Sequence, residues 1–107
     1  MLIVTTPVLE GRRIIEYKGP VFTQVVKGFA IGQGLFDGWR AMGGERSKGH
    51  EQLISDIRRE AMYELEREAA AMGANAIVGT IVDIESITLR DRPMLLAKLA
   101  GAAVVVA

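Results

Sequence analysis

The sequence predicts an α+β domain: an antiparallel-type sheet of about four strands with one long amphipathic helix and one short helix, assembled as a ring of identical subunits. Three observations lead there. Residues 47–72 carry an apolar stripe of helical period. Strand-type segments lie before and after that stripe. Residues 94–107 are apolar on both faces, the mark of a strand covered from two sides. The 107 residues form one domain, 1–107. Half of them are hydrophobic. A chain of this size buries roughly two-thirds of its unfolded surface, so that much apolar material implies a subunit interface.

Residues 2–5 read as a short strand ended by Pro7. Residues 13–17 and 21–27 read as a strand pair, or as one strand broken at Gly19-Pro20, where a bulge or tight turn is expected. Residues 28–44 hold six of the twelve glycines, with Phe36, Trp39 and Met42 at three-residue spacing. They predict a weak helix over 35–42 between flexible flanks.

The long helix places Leu53, Ile54, Ile57, Ala61, Met62, Leu65, Ala69 and Met72 on one face. Asp56, Arg59, Glu64 and Arg67 lie on the other, at i,i+3 spacing within each pair. Ser47 suits the N-cap and Gly73 the C′ position. At about 1.5 Å per residue the helix is on the order of 38 Å long. It therefore spans a body whose radius of gyration should be near 13 Å. Residues 76–86 read as a strand with Ile77 and Ile81 on one face and Val78, Val82 and Ile84 on the other. Residues 94–107 form the last strand. One helix covers one side of such a sheet, and a neighbouring subunit is the simplest cover for the other.

Composition narrows the function. Thirteen basic and thirteen acidic residues cancel, giving no global attraction to nucleic acid or to an acidic membrane. Without cysteine there is no disulfide, thiolate nucleophile or thiolate metal site. His50 is the single histidine, so a Cys/His zinc site within one subunit is not expected. The N-terminus lacks the basic and apolar regions of a signal peptide. The apolar run 93–107 is too short to span a bilayer, and Lys98 interrupts it. A cytoplasmic location is expected.

Each candidate site has a plain structural reading beside it. Gly32-Gln33-Gly34-Leu35-Phe36-Asp37-Gly38 misses the spacing of the dinucleotide fingerprint, and no Gly-Lys-Ser/Thr follows. It reads first as a flexible connector. The segment 43–50 enters the long helix. Arg40, Arg46, Ser47, Lys48 and His50 there could hold a small anion on the free N–H groups and positive dipole of the helix start. The plain reading is a capped helix with solvated charges. A metal alternative uses His50 with Asp83 and Glu85, which share a strand face and could take a hard cation, or simply mark a solvated strand end. Thr5 and Thr6 have no base placed beside them. Trp39 and Phe36 read as packing anchors.

An ordered set of segments resembles a known family. It runs Thr5-Thr6-Pro7, Glu10-Gly11, Tyr17-Lys18-Gly19, Gly43-Gly44, Arg46-Ser47, and Ala61 with Glu64-Leu65. It ends in Ala70-Ala71-Met72-Gly73-Ala74-Asn75-Ala76-Ile77-Val78-Gly79. The set is similar to the YbjQ family, small bacterial and archaeal proteins labelled heavy-metal-binding. The resemblance covers nearly the whole chain and implies an α+β fold closing into a homopentameric ring, with no established reaction. Family members often carry cysteine where Lys18 stands and tyrosine where His50 stands. The first exchange replaces a soft ligand by an ammonium group and argues against a heavy-metal site at that position.

The leading expectation is a non-catalytic oligomer that binds a small ligand, with an anion as the favoured class and self as the partner. A metal-binding oligomer is the alternative. A small enzyme with an interface active site, or a purely structural ring, ranks after these.

Overall fold

The computed structural model describes residues 1–28 and 48–107, of which residues 48–50 are described by backbone alone. Strand β1 is Leu2–Ile3, β2 Ile14–Gly28, helix α1 Lys48–Ala71, β3 Ala76–Leu89 and β4 Arg92–Val106. They form one four-stranded sheet in the order β1-β3-β4-β2, with α1 on one face. The fold is α+β, as expected, but the sheet is mixed: β1 runs parallel to β3, and the other pairings are antiparallel. The short helix expected over 35–42 lies outside the described residues.

Helix α1 follows from its stripe. Ile57, Ala61, Leu65 and Ala69, each four residues on, are all fully buried against the sheet. Burying a large aliphatic side chain such as Leu65 contributes about 1.5–3 kcal/mol. The helix stops where Gly73 adopts φ +85°. The Gly73 N–H donates to the Ala70 carbonyl at 2.9 Å and the Ala74 N–H to the Ala69 carbonyl at 3.1 Å, a Schellman cap. Ala69 and Ala74 are both buried in the core, supplying the apolar contact that accompanies such a cap. The last turn carries no basic residue. Lys18 of β2 brings its chain beside Gly73 while its Nζ pairs with Glu16 Oε2 at 3.1 Å. A cation thus sits near the negative end of the helix dipole.

Residues 14–28 form one strand rather than a pair. Its register slips between Tyr17 and Gly19, just before Pro20. Pro20 is tolerated because, among the described strands, β2 lies at the edge of the sheet beside β4. Asn75 closes the sheet beside the end of β4. Its side-chain amide donates to the Val106 carbonyl at 3.0 Å and accepts from the Val106 N–H at 2.8 Å, which substitutes for a missing pair of ladder bonds.

A bulge in β3 corrects the expected face pattern. Val78 pairs with Ala102 but Ile81 with Ala100, so β3 uses one residue more than β4 over that step. Gly79 takes φ +61° there. The extra residue reverses the alternation. Ile77 and Ile84 both pack toward the helix, while Ile81 turns to the opposite face instead of sharing a face with Ile77. Gly101, across from the bulge, has no room for a side chain: a Cβ would lie 2.6 Å from Ile77 Cγ2.

Candidate functional site

The sheet face away from α1 carries exposed apolar side chains from β2 and β3, Phe22, Val26 and Ile81 among them. Register places its side chains in cross-strand rows over β2, β4 and β3. Pro20, Ala102 and Val78 form one row, and Phe22, Ala100 and Ile81 the next. Gln24, Lys98 and Asp83 follow, then Val26, Leu96 and Glu85. One end is roofed. Val4, Leu9 and Ile14 pack over Ala76, Val78, Val104 and Val106, forming a small second core. Beyond that roof no other described element covers the face. Tyr17, Phe22 and Ile81 are 68%, 64% and 66% exposed.

Small residues on the central strand make this face a trough. Ala100 is flanked by the larger Phe22 and Ile81. Two adjoining hollows result. One, of about 480 Å³, lies among Pro7, Tyr17, Phe22, Gly79, Ile81 and Ala102. The other, of about 440 Å³, lies among Phe22, Gln24, Ile81, Asp83 and Lys98. The first is bordered by three of the segments that carry the family resemblance, those around Pro7, Tyr17 and Gly79. Folding brings them together although they are far apart in the chain. Apolar walls with a polar end suit a second protein surface or an apolar ligand.

The polar end contains the predicted acidic pair. Asp83 and Glu85 do share the outward face. Lys98 lies between them, its Nζ 3.5 Å from Asp83 Oδ2 and 3.7 Å from Glu85 Oε1. The two carboxylates therefore have an ammonium partner, and one negative charge is left over. Helix α1, whose first turn carries His50, packs on the other face. Within one chain the sheet separates the acidic pair from that helix. Among the described residues no group of three or more potential metal ligands converges. Of the anion-site residues, Arg40, Arg46 and Ser47 lie outside the described residues. Lys48 and His50 are in the first turn of α1, with side chains outside what is described.

The trough was not legible as a site in the sequence. Its one signal was the two-sided apolar character of 94–107. The exposed face of β2 alternates Phe22, Gln24 and Val26, which looks no different from the buried alternation Val21, Thr23 and Val25. The Thr23 hydroxyl reconciles burial with polarity by donating to the Ala61 carbonyl at 3.1 Å.

No helix of the described residues is long and apolar enough to cross a membrane. A crystal structure of a protein of unknown function from Pediococcus pentosaceus, assigned to the DUF74 family, shares the fold. Its TM-score is 0.68 at 17% identity, covering 100% of this chain and 98% of that one. Among curated proteins, a UPF0145 protein of Pasteurella multocida is 43% identical over 106 residues, 99% of each chain. A UPF0145 protein of Listeria monocytogenes serotype 4a is 39% identical, covering 99% of this chain and 96% of its own. A third, from Listeria grayi, is 41% identical over 99% of both. The YbjQ_1 family model, described as "Putative heavy-metal-binding", matches residues 1–107. With that match running from end to end, the chain belongs to the YbjQ family.

Proposed function

We propose that this chain is a non-catalytic subunit of a homo-oligomer, a pentameric ring acting in the cytoplasm, in which neighbouring copies cover the outer sheet face and a small ligand is held. The observation that carries the reading is the apolar trough of Tyr17, Phe22, Ile81 and Ala100. Contiguous exposed apolar side chains on a small protein mark an interaction surface. Shape agrees. The radius of gyration is 17.0 Å and the extents are 53 × 25 × 17 Å, against about 13 Å expected of a compact chain this long. A thin, long, two-layer body gains buried area mainly by association.

The ligand class favoured by the residues is a small anion at the basic start of α1, with Arg40, Arg46, Ser47, Lys48 and His50 as its binders. The second reading is the metal binding named in the family description, through His50, Asp83 and Glu85. Within a single chain Lys98 already pairs with both carboxylates, so this version needs a neighbour's His50 to approach them.

Native mass spectrometry of untagged protein tests the reading. Wild type should run as an oligomer, and Phe22→Asp should run as a smaller species with an unchanged far-UV spectrum. A wild-type monomer at micromolar concentration overturns it.

A further inference from the structure

We infer that the tip of the β3–β4 hairpin in one copy seats in the outer trough of the next, with Arg90 and Arg92 meeting Asp83 and Glu85. This deepens the homo-oligomer reading and rests on it.

The charges are complementary. In the trough, Lys98 is flanked by Asp83 and Glu85, both within 4 Å. The cluster is negative by one. At the tip the order is reversed, with Asp91 standing between Arg90 and Arg92 and all three exposed. That cluster is positive by one. Neither arginine has a carboxylate within 4.0 Å among the described residues. Burying the trough under an apolar surface alone would strand its extra carboxylate, which is costly. A partner bringing cations removes that cost.

Apolar surface matches as well. The tip carries Leu89, 46% exposed, beside Met94, and the two border a hollow of about 690 Å³ with Arg90 and Arg92. The trough offers Phe22 and Ile81. Among the described residues the two clusters do not pair: Glu85 stands opposite Leu96, four residues along extended strand from Arg92, a span of about 13 Å at roughly 3.3 Å per residue.

The turn gives an independent reason. Arg90 and Asp91 have φ 52° and 63°. A two-residue hairpin with both central residues at positive φ favours Asn-Gly. Aspartate tolerates the left-handed region, whereas arginine there is uncommon. Such an outlier points to a function for the side chain itself. Because tip and trough are different patches, their pairing is head-to-tail and can repeat around a closed ring.

The test is a charge exchange on the full chain, read as the dissociation constant of the oligomer by dilution and native mass spectrometry. Arg92→Glu and Glu85→Arg should each weaken assembly by about tenfold or more, the scale of close interfacial charge pairs. The double variant should recover to within a few-fold of wild type. If either single variant loses its far-UV spectrum, the neutral Glu85→Gln and a salt titration of wild type take its place. Weaker assembly for both is expected, and no effect of either overturns the inference. An intact oligomer indifferent to all these changes refutes tip-in-trough docking while leaving self-association standing. A monomeric wild type refutes both.

Discussion

Replacing Gly101 by alanine tests the bulge that turns Ile81 outward. A Cβ at this position would lie 2.6 Å from Ile77 Cγ2, 3.2 Å from Thr80 Oγ1 and 3.4 Å from the Val78 carbonyl oxygen. Favourable carbon contacts lie at about 3.5–4.0 Å, so Ile77 has to move by about 1 Å. Ile77 is fully buried and cannot swing into solvent. Overpacking of this kind costs about 1–3 kcal/mol. Taking about 2 kcal/mol, the melting temperature should fall by about 10 °C in a chain this size. Urea denaturation at fixed protein concentration should show a lower midpoint with an unchanged slope. Ile77→Leu provides the specific control, because it removes the branch at Cβ that the new methyl strikes. Alone it should cost under about 1.5 kcal/mol. Together with Gly101→Ala it should cost less than the two separately, by at least about 0.5 kcal/mol. Strict additivity, or a Gly101→Ala variant as stable as wild type, would refute this packing.

Further outcomes follow from other contacts. Asn75→Ala removes both part-buried bonds to Val106 and should lower stability by about 1 kcal/mol in the same urea assay, since a typical intramolecular hydrogen bond contributes about 0.5–1.5 kcal/mol. Arg90→Gly should raise the stability of the fold by about 1 kcal/mol by relieving the left-handed strain, yet weaken assembly, two opposite signs that a purely structural turn residue would not produce. Arg46→Ala with Lys48→Ala should weaken inorganic phosphate binding in calorimetry while the native mass stays that of wild type, and equal affinity before and after would remove the anion from the proposed function.

Much of the fold was legible because one periodicity dominates it. Ile57, Ala61, Leu65 and Ala69 announce a helix with one buried stripe, and Gly73 announces its end. The parallel β1–β3 pairing was not legible, since it rests on two residues of β1 and on tertiary proximity alone. The bulge was hidden for a related reason. Gly79 is visible in the sequence, but whether it adds a residue to β3 is decided by what stands across from it on β4. The acidic pair Asp83 and Glu85 was readable as a face, whereas its partner Lys98 was not. That pairing follows from a two-residue turn at Arg90-Asp91, which lacks the Asn-Gly signal that would reveal the hairpin and fix its register. The trough escaped notice because neither face of β2 is distinctly more apolar, so nothing in the sequence says which one the helix covers.

The most direct test of the central claim is the native mass of the untagged wild-type chain beside Phe22→Asp, at equal micromolar concentration. The account predicts an oligomer, with five as the expected number, for wild type and a smaller folded species for the variant. A wild-type monomer, or an oligomer that Phe22→Asp leaves intact, would contradict the claim that the outer sheet face is where this protein meets itself.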